Sequence, residues 1–311
     1  MATVPRTAPA GPRARRRARK LTRTDKIVLA VMVGIPAALH IGLVWVPTLG
    51  SIALSFSRWE GVGGFDTIQW IRTLNYRQIF TIYPPFWPAV RHNVIWLAFL
   101  FLATGFGLFL AVQLDKRLRM TRLYQSIIFL PVMLSLAIVG FIWHLVYAHD
   151  DGLLNNLLGT HVDWLGNSSI NLWAALVAAG WRHVGYIMVI YLAGLKSLDP
   201  SLTEAAAIDG ANEWQSFRRV VFPALKPINV VVLVITAIES LRAFDLVYVI
   251  NKGTNGLELV SVLVTNNIIG EASRIGYGSA LAVILLVVSL VFIIPYLIVY
   301  FRGSFAGRGA R

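Results

Sequence analysis

The stretch SLDPSLTEAAAIDGANEWQSFRRVVFPALKP, residues 197–227, carries the most specific local chemistry in the chain. Asp199 suits a helix N-cap, and Ser201 with Glu204 offers an alternative capping box. The run that begins at Glu204 and continues with alanines favours helix. Gly210 stands where a helix ends in a left-handed residue or a tight turn. The pattern therefore predicts a short helix that ends near Gly210.

A second short helix is predicted directly after this turn. It begins at Asn212, places Trp214 and Phe217 on an apolar side, and reaches Pro223 near its end. The small side chains of the first helix permit close approach by a partner. On composition alone, a docking element and a plain connection between the flanking segments are equally good interpretations.

The sequence on either side of this segment is strongly apolar. Of the 311 residues, 57% are hydrophobic and 14% are charged, and the mean hydropathy is +0.66. A soluble domain of this composition would expose more apolar surface than water tolerates, whereas a membrane helix needs roughly 20 apolar residues. The chain is therefore predicted to be an all-α integral membrane protein with six transmembrane helices. These lie near residues 27–46, 93–114, 123–147, 171–195, 228–250 and 276–301.

The basic residues lie beside the apolar segments and predict the topology. In a soluble protein, a net charge of +13 would point toward a nucleic acid partner. Here the basic residues are placed as the positive-inside rule predicts for a membrane protein, so no nucleic acid partner is expected. Both termini are expected in the cytoplasm. The predicted organisation is a disordered basic tail over 1–26, a membrane domain over 27–303 with the loop 197–227, and a cytoplasmic tail over 304–311. The basic residues behind this prediction are Arg13, Arg15, Arg16, Arg17, Arg19, Lys20, Arg23, Lys26, Lys116, Arg117, Arg119, Arg122, Arg302, Arg308 and Arg311.

The order of residues in 197–227 resembles the cytoplasmic EAA signature of ABC importer permeases. That signature reads Glu-Ala-Ala, then Gly, then a longer spacer that ends in hydrophobic-x-hydrophobic-Pro. The chain supplies EAA at 204–206, Gly210 and VVFP at 220–223. The extended form Glu-Ala-Ala-x-Ile-Asp-Gly-Ala, matched over 204–211, is similar to the carbohydrate-uptake branch of the family.

The resemblance extends over most of the membrane region. The stretch 122–131 resembles the basic, aromatic, Leu-Pro start of the family's third span, 244–248 resembles its Phe-Asp-x-hydrophobic-Tyr run, and 278–282 resembles the start of its last span. One loop departs from the pattern. Many relatives carry Thr-x-Gly-Gly-Pro after the fifth span, where this chain has NKGTNG at 251–256, so the contacts of that loop stay open.

The resemblance implies the permease subunit of an ATP-driven, binding-protein-dependent importer for a sugar or oligosaccharide. It implies a plasma membrane location in a bacterium or archaeon, with a second homologous permease, two ATPase subunits, an extracytoplasmic solute-binding protein and membrane lipid as partners. No cofactor and no enzyme activity are expected in this chain, because it lacks a phosphate-binding Gly-x-x-x-x-Gly-Lys loop; ATP and Mg²⁺ would be held by the ATPase subunits. The implied coupling helix would dock in an ATPase cleft through Glu204, Ala205, Ala206, Asp209 and Gly210.

Ionisable residues inside the spans are the candidates for a substrate path, because charges in a membrane usually face a cavity or a partner. Glu239 and Arg242 are three residues apart, so they are expected to meet on one helix face that Asp245 continues. Arg182 and His183, directly after Trp181, form a second polar point in the fourth span. A structural ion pair between spans is the competing interpretation. Hydrogen-bonding groups beside aromatic faces would suit a hydroxyl-rich solute.

Three alternatives stay open on the sequence. A secondary transporter would use Glu239, Arg242 and His183 as an ion relay, although no inverted repeat is evident. An importer for a non-sugar solute, such as a phosphorylated polyol, is the second. The third is a membrane-embedded metalloenzyme. Its metal could bind near the third span, although the spacing there fits no known ligand motif and the chain has no cysteine. The residues concerned are His144, His149, Asp150, Asp151 and His161.

Overall fold

A computed structural model describes residues 22–116, 119–269 and 273–306, and the described part is almost entirely helical. The α-helices are α1 Arg23–His40, α2 Val46–Leu54, α3 Leu74–Thr81, α4 Phe86–Asp115, α5 Thr121–Phe129, α6 Leu136–Val146, α7 Leu153–Leu158, α8 Asn171–Lys196, α9 Ser201–Ile208, α10 Glu213–Ser216, α11 Phe222–Ala224, α12 Lys226–Leu241, α13 Asp245–Asn251, α14 Val260–Ile268 and α15 Ile275–Ala306. A small antiparallel hairpin pairs β1 Ser57–Arg58 with β2 Gln69–Trp70.

The chain divides into two compact units at Gly50. The described part of the first unit is helical and apolar, and no residue of α1 is buried. Its start differs from the tail expected over 1–26, because Thr22 and Asp25 form a capping box and the helix begins at Arg23. Helix α15 likewise continues to Ala306, into the expected tail over 304–311. The basic residues of these predictions that lie outside the described residues are Arg13, Arg15, Arg16, Arg17, Arg19, Lys20, Arg117, Arg308 and Arg311.

Within the described residues, four helices are long and apolar enough to cross a membrane, and up to six spans result if each of two bent helix pairs counts as one. The four are Arg23–Leu54, Phe86–Asp115, Asn171–Lys196 and Ile275–Ile294. The third span, expected over 123–147 as a single helix, is one of the bent pairs, whereas the bend of the other pair precedes the fifth span expected over 228–250. Thr121–Met133 and Leu136–Val146 meet at 100°, and Glu213–Ala224 and Lys226–Asn251 meet at 75°.

Proline explains where several helices deviate from regular geometry. The chain widens into a π-helical turn over Ile41–Trp45 and again over Phe217–Val221. Each turn is followed closely by a proline, Pro47 or Pro223, whose ring cannot donate a backbone hydrogen bond and crowds the preceding turn. A wider turn accommodates the ring. In the third span, Pro131 lies in a 3₁₀ turn after α5.

The core of the second unit is the close pair α4 and α8. A Cβ atom at Gly107 of α4 would lie 3.0 Å from the Cβ of Ile187 on α8, and the fully buried Ala175 and Ala178 also line the core. Small residues let helix backbones approach closely in a membrane. The largest core side chain is Trp96, which is 1% exposed. The pair therefore forms a tight framework on which the other helices pack.

Gly185 of α8 is a position where we expect a single methyl group to disrupt the packing of α5 against α8. A Cβ there would collide with the backbone carbonyl oxygen of Ile128, which cannot rotate away. We expect Gly185→Ala to lower the stability of the folded chain by about 2 kcal/mol, the usual cost of overpacking. Gly105→Ala is the matched control, because nothing lies within 4 Å of its added methyl group. Thermal unfolding in detergent would measure both, and equal melting temperatures would contradict the prediction.

Candidate functional site

Two features of the second unit carry the candidate site: a surface segment of short helices and a polar cavity. The short-helix segment comprises α9, α10, the π turn and α11. The carboxylate of Asp199 accepts a hydrogen bond from the backbone N–H of Ser201 at 2.9 Å, and this bond lowers the pKa of Asp199 below its usual value. The alternative capping box of Ser201 with Glu204 is not formed, because α9 has no side-chain cap bond.

The turn between α9 and α10 follows the expectation from the sequence. Gly210 has a φ of +80°, a conformation that side-chain-bearing residues rarely adopt. Asn212 then caps α10: its carboxamide oxygen accepts from Gln215 N–H at 2.8 Å, and the Gln215 side chain accepts from Asn212 N–H at 3.0 Å. The turn itself is closed by backbone bonds from Gly210 N–H to Ala207 O at 3.1 Å and from Ala211 N–H to Ala206 O at 3.0 Å.

The short-helix segment presents four of its five candidate docking residues at the surface. Glu204, Ala205, Asp209 and Gly210 are exposed, whereas Ala206 is only 7% exposed and belongs to the packed side of α9. Large apolar side chains are exposed next to them. Ile208 is 87% exposed and Trp214 is 66% exposed. A patch of this kind on a short helical turn is typical of a surface that a protein partner covers.

One ion pair joins the segment to the end of α4, and a second ion pair joins the ends of α4 and α8. Lys116 Nζ lies 2.8 Å from Glu213 Oε2 on α10, and Asp115 Oδ1 lies 2.7 Å from Lys196 Nζ at the end of α8. The hydrogen bond from Lys116 and its positive charge lower the pKa of Glu213. Both pairs are largely exposed, so they fix orientation more than they add stability.

The polar cavity, here called the inner cavity, has a volume of about 230 Å³ and lies between α4, α8 and the α12–α13 junction. Arg182, Glu239, Arg242 and Asp245 line it. Four of the five candidate substrate-path residues therefore share one cavity. The fifth, Trp181, does not line it. The remaining lining includes Trp96, Leu100, Leu136, His183, Phe244 and Leu246.

A buried hydrogen-bond network holds Glu239 at the cavity wall. His183 is 3% exposed, and its Nδ1 donates to Glu239 Oε2 at 2.9 Å. Its Nε2 lies 3.0 Å from the hydroxyl of Thr104 and 3.4 Å from that of Thr236, and the two hydroxyls are 3.0 Å apart. Arg182 Nη1 approaches the other carboxylate oxygen of Glu239 at 4.0 Å. The carboxylate is thus oriented by three helices.

Glu239, Arg242 and Asp245 line one cavity, but Asp245 does not continue the helix that carries Glu239, because the fifth span is interrupted. Helix α12 ends at Leu241 and α13 begins at Asp245, so a periodicity of three or four residues does not continue across the junction. Within the described residues, the ion-pair partner of Glu239 is Arg182 and not Arg242. The carbonyl of Ala243 in the junction accepts a hydrogen bond from the hydroxyl of Ser261 on α14. Tertiary contact therefore supports the interruption.

Sequence reasoning missed several cavity residues. Thr104 and Thr236 are single hydroxyls in apolar helices, a pattern that by itself carries little information. Trp96, which the sequence did not single out as a site residue, is buried and lines the cavity. Trp181 was expected on the substrate path; it instead packs edge-on against Trp143, with ring centroids 5.8 Å apart.

The loop 251–256, whose contacts the sequence left open, is firmly held. The Asn171 side chain at the start of α8 donates to the carbonyls of Thr254 and Asn255, both at 2.9 Å. Asn251 donates to Leu165 O at 3.3 Å. Shortly after the loop, the backbone N–H of Val260 donates to the Asn93 side chain on α4 at 3.0 Å. Asparagine side chains therefore hold this loop in place, although its sequence lacks the family pattern.

The polar residues after the third span do not assemble. His144 Nδ1 bonds to the carbonyl of Ile250 at 2.8 Å, and His149 Nε2 lies 3.9 Å from Asp150. Across the described ranges, no three His, Asp or Glu side chains form a group that could hold a metal ion.

Comparisons with known proteins agree with this architecture. The family model for the binding-protein-dependent transport system inner membrane component matches residues 103–304. The xylose/arabinose import permease protein XacH of Haloferax volcanii is 33% identical, with 90% of each chain covered. A probable ABC transporter permease protein of Pyrococcus horikoshii is 31% identical over 91% of this chain and 99% of the relative.

A solved structure has the same fold. A chain of a bacterial ABC transporter involved in the import of the acidic polysaccharide alginate superposes with a TM-score of 0.75 at 21% identity, covering 90% of this chain and 96% of the other. The short-helix segment, the apolar helices and the family match over residues 103–304 point to one conclusion. The chain belongs to the family of binding-protein-dependent transport system inner membrane components and is a multi-pass membrane permease subunit of an ABC importer.

Proposed function

We propose that this permease imports a sugar or oligosaccharide through a path that includes the inner cavity. The observation that carries the proposal is the composition of that cavity. Arg182, Glu239, Arg242 and Asp245 offer hydrogen-bond donors and acceptors of both charges, and the half-buried Phe244 offers aromatic surface. Cavities that bind hydroxyl-rich solutes combine a few polar groups with apolar and aromatic walls. The relative XacH is a xylose/arabinose import permease, which supports the same substrate class.

The energy for transport would come from separate ATPase subunits. The chain has no Gly-Lys pair and hence no phosphate-binding loop, so ATP and Mg²⁺ would bind to two partner ATPases. The short-helix segment is the proposed coupling helix. Glu204, Ala205, Asp209 and Gly210 are exposed there, beside Ile208. Closure of the ATPases on ATP would move this segment and switch the pore between inward and outward access, which is coupling between distant sites.

The remaining partners and the topology follow from this role. A second homologous permease would complete the pore, and a solute-binding protein would deliver the solute outside the cell. The six spans would place both termini and the short-helix segment in the cytoplasm of a bacterial or archaeal cell. The end of α4 supports this orientation, because Lys116 and the segment lie together and basic residues favour the inner face.

Uptake measurements on the reconstituted importer would test the substrate class. We expect vesicles that contain this chain, its second permease and its ATPases to accumulate xylose, maltose or trehalose only when ATP and the sugar-loaded binding protein are present. Glycerol 3-phosphate is the comparison solute for the alternative, because Arg182 and Arg242 could also pair with a phosphate. Uptake of glycerol 3-phosphate without uptake of any sugar would replace the proposal by the polyol importer.

A further inference from the structure

A second cavity lies near the start of α4 and α8, and it is larger and more open than the inner one. This outer cavity has a volume of about 460 Å³, within the range of small-molecule sites. Its walls come from three places: the first turns of α4, the residues just before and at the start of α8, and the loop before α14. Its polar and aromatic lining consists of Arg91, His92, Ser168, Ser169, Trp173 and Glu258.

The lining combines groups that bind vicinal hydroxyls. Arg91 is exposed and forms no ion pair in the part of the chain that the structure describes, so its guanidinium donors are available. Glu258 is 31% exposed and supplies acceptors of the opposite charge. The Trp173 ring is 54% exposed and supplies an apolar face. A donor, an acceptor and an aromatic face around one cavity suit a neutral polyhydroxylated solute better than an ion.

His92 holds Glu258, the acidic residue of the cavity lining, in place. Its Nδ1 lies 3.0 Å from the carbonyl oxygen of Glu258 and 3.9 Å from the carboxylate of the same residue. A carbonyl can only accept, so Nδ1 carries the proton, and Nε2 of a neutral ring is left as an acceptor. The backbone N–H of Gly256 donates to the Glu258 carboxylate at 3.3 Å. The carboxylate is therefore positioned before any solute arrives.

The backbone around the cavity is also preformed. Asn171 and Asn93 fasten the loop 251–259 and the start of α14 to α8 and α4, as described above. Gly256 has a φ of +82°, and a Cβ there would lie 2.6 Å from the carbonyl oxygen of Ser168. Only glycine lets the two loops approach this closely. A rigid, concave and polar surface is the arrangement from which small-molecule sites are built.

The outer and inner cavities share the same two helices. On α4, His92 faces the outer cavity and Leu100 the inner one; on α8, Trp173 lines the outer and Arg182 the inner cavity. At the rise of an α-helix, those nine residues of α8 correspond to about 13 Å. The buried Trp96 lies between the two levels on α4 and belongs to the inner lining. The outer cavity thus lies at the end of the bundle opposite the short-helix segment, which follows the end of α8.

We propose that the outer cavity is a second solute subsite, at which one unit of a neutral sugar binds before it passes to the inner cavity. The inference rests on the proposed sugar import, and it adds a site to it. Trp173 stacks on the sugar ring, while Arg91 and Glu258 bind adjacent hydroxyls. The alternative occupant is a loop of the solute-binding protein.

The absence of cysteine from the chain makes a protection experiment possible. Ser169→Cys would place one thiol in the outer cavity, and the complete importer would be labelled in nanodiscs with a charged maleimide, with labelling of this subunit read by mass spectrometry. Maltose, trehalose and xylose are the probes. A sugar that binds the site slows labelling by a factor of one plus the ratio of its concentration to Kd, about tenfold at nine times Kd. Asp66→Cys, on an exposed turn away from the cavity, should not be protected.

The outcomes separate this inference from the proposed function. Protection by a sugar at Ser169→Cys that disappears when Trp173→Ala is added supports the subsite. If none of the sugars slows labelling of Ser169→Cys, the subsite is overturned. If the same complex still hydrolyses ATP faster with sugar-loaded binding protein, the proposed sugar import stands without the subsite. Protection by sugar-free binding protein alone also overturns the subsite and assigns the cavity to protein docking. If no sugar protects and none stimulates ATP hydrolysis, both proposals fail.

Discussion

Replacement of Gly210 by tryptophan is expected to abolish retention of the ATPase by the purified permease. The ideal Cβ at Gly210 meets no atom within 4 Å, so the indole would point away from the chain and into whatever docks there. A large side chain in the centre of a docked surface costs about 2 kcal/mol or more, which corresponds to at least about thirtyfold weaker binding. Co-expression with the ATPase and the second permease, followed by affinity purification through this chain, measures the loss.

The positive φ of Gly210 calls for a control that separates backbone strain from a blocked surface. Gly210→Asn is suitable, because asparagine tolerates the left-handed conformation better than other side chains and is much smaller than tryptophan. We expect it to retain most of the ATPase. Equal retention by wild type and the tryptophan variant would refute the coupling-helix assignment. Equal loss in both variants, with the chain still folded, would attribute the effect to the turn geometry.

The sequence was most informative where structure is determined locally. The bend after α9 is encoded by Gly210, and the start of α10 by Asn212 and Gln215, all within a few residues of one another. Hydropathy likewise located the long helices, because each span needs its own run of apolar residues. Such features depend on few neighbours, so a single sequence suffices to predict them.

The inner cavity could be predicted only in part, because its geometry depends on distant contacts. The charged residues were recognisable as unusual for a membrane helix, but the hydrogen-bond partner of Glu239 is His183, 56 positions away along the chain. The interruption between α12 and α13 contains neither proline nor glycine. It is supported instead by the hydroxyl of Ser261 on another helix. No local sequence pattern predicts such a break, so the sequence alone did not indicate that Glu239 and Asp245 lie on separate helices.

The loop 251–256 shows a different limit of the sequence. Because the loop departs from the family motif, the sequence left its contacts open. The structure shows that the loop is held by residues outside the motif. Asn171 lies 83 positions from Thr254, and its carboxamide binds two successive carbonyls of the loop. A motif comparison within the loop cannot detect a compensating side chain on another helix.

Replacement of His183 by leucine is expected to have the second large effect, on both stability and transport. Leucine would fill similar space but leave the Glu239 carboxylate without its buried donor, and the hydroxyls of Thr104 and Thr236 without the imidazole. A hydrogen bond to a charged group contributes about 1.5–3 kcal/mol, so the melting temperature in detergent should fall by several degrees. The KM for sugar uptake should rise, because Glu239 loses its fixed orientation at the cavity wall.

A double-mutant cycle distinguishes this positioning role of His183 from a general packing defect. If His183 acts through Glu239, then Glu239→Gln should raise KM by itself, and adding His183→Leu should raise it little further, because residues in one network are not additive. His149→Leu is the matched control, since its side chain is 52% exposed and lies 3.9 Å from its nearest acidic partner. Additive effects on KM would contradict the positioning role. A loss of stability with unchanged KM would limit His183 to a structural bond between α8 and α12, and would leave Arg182 as the group that orients Glu239.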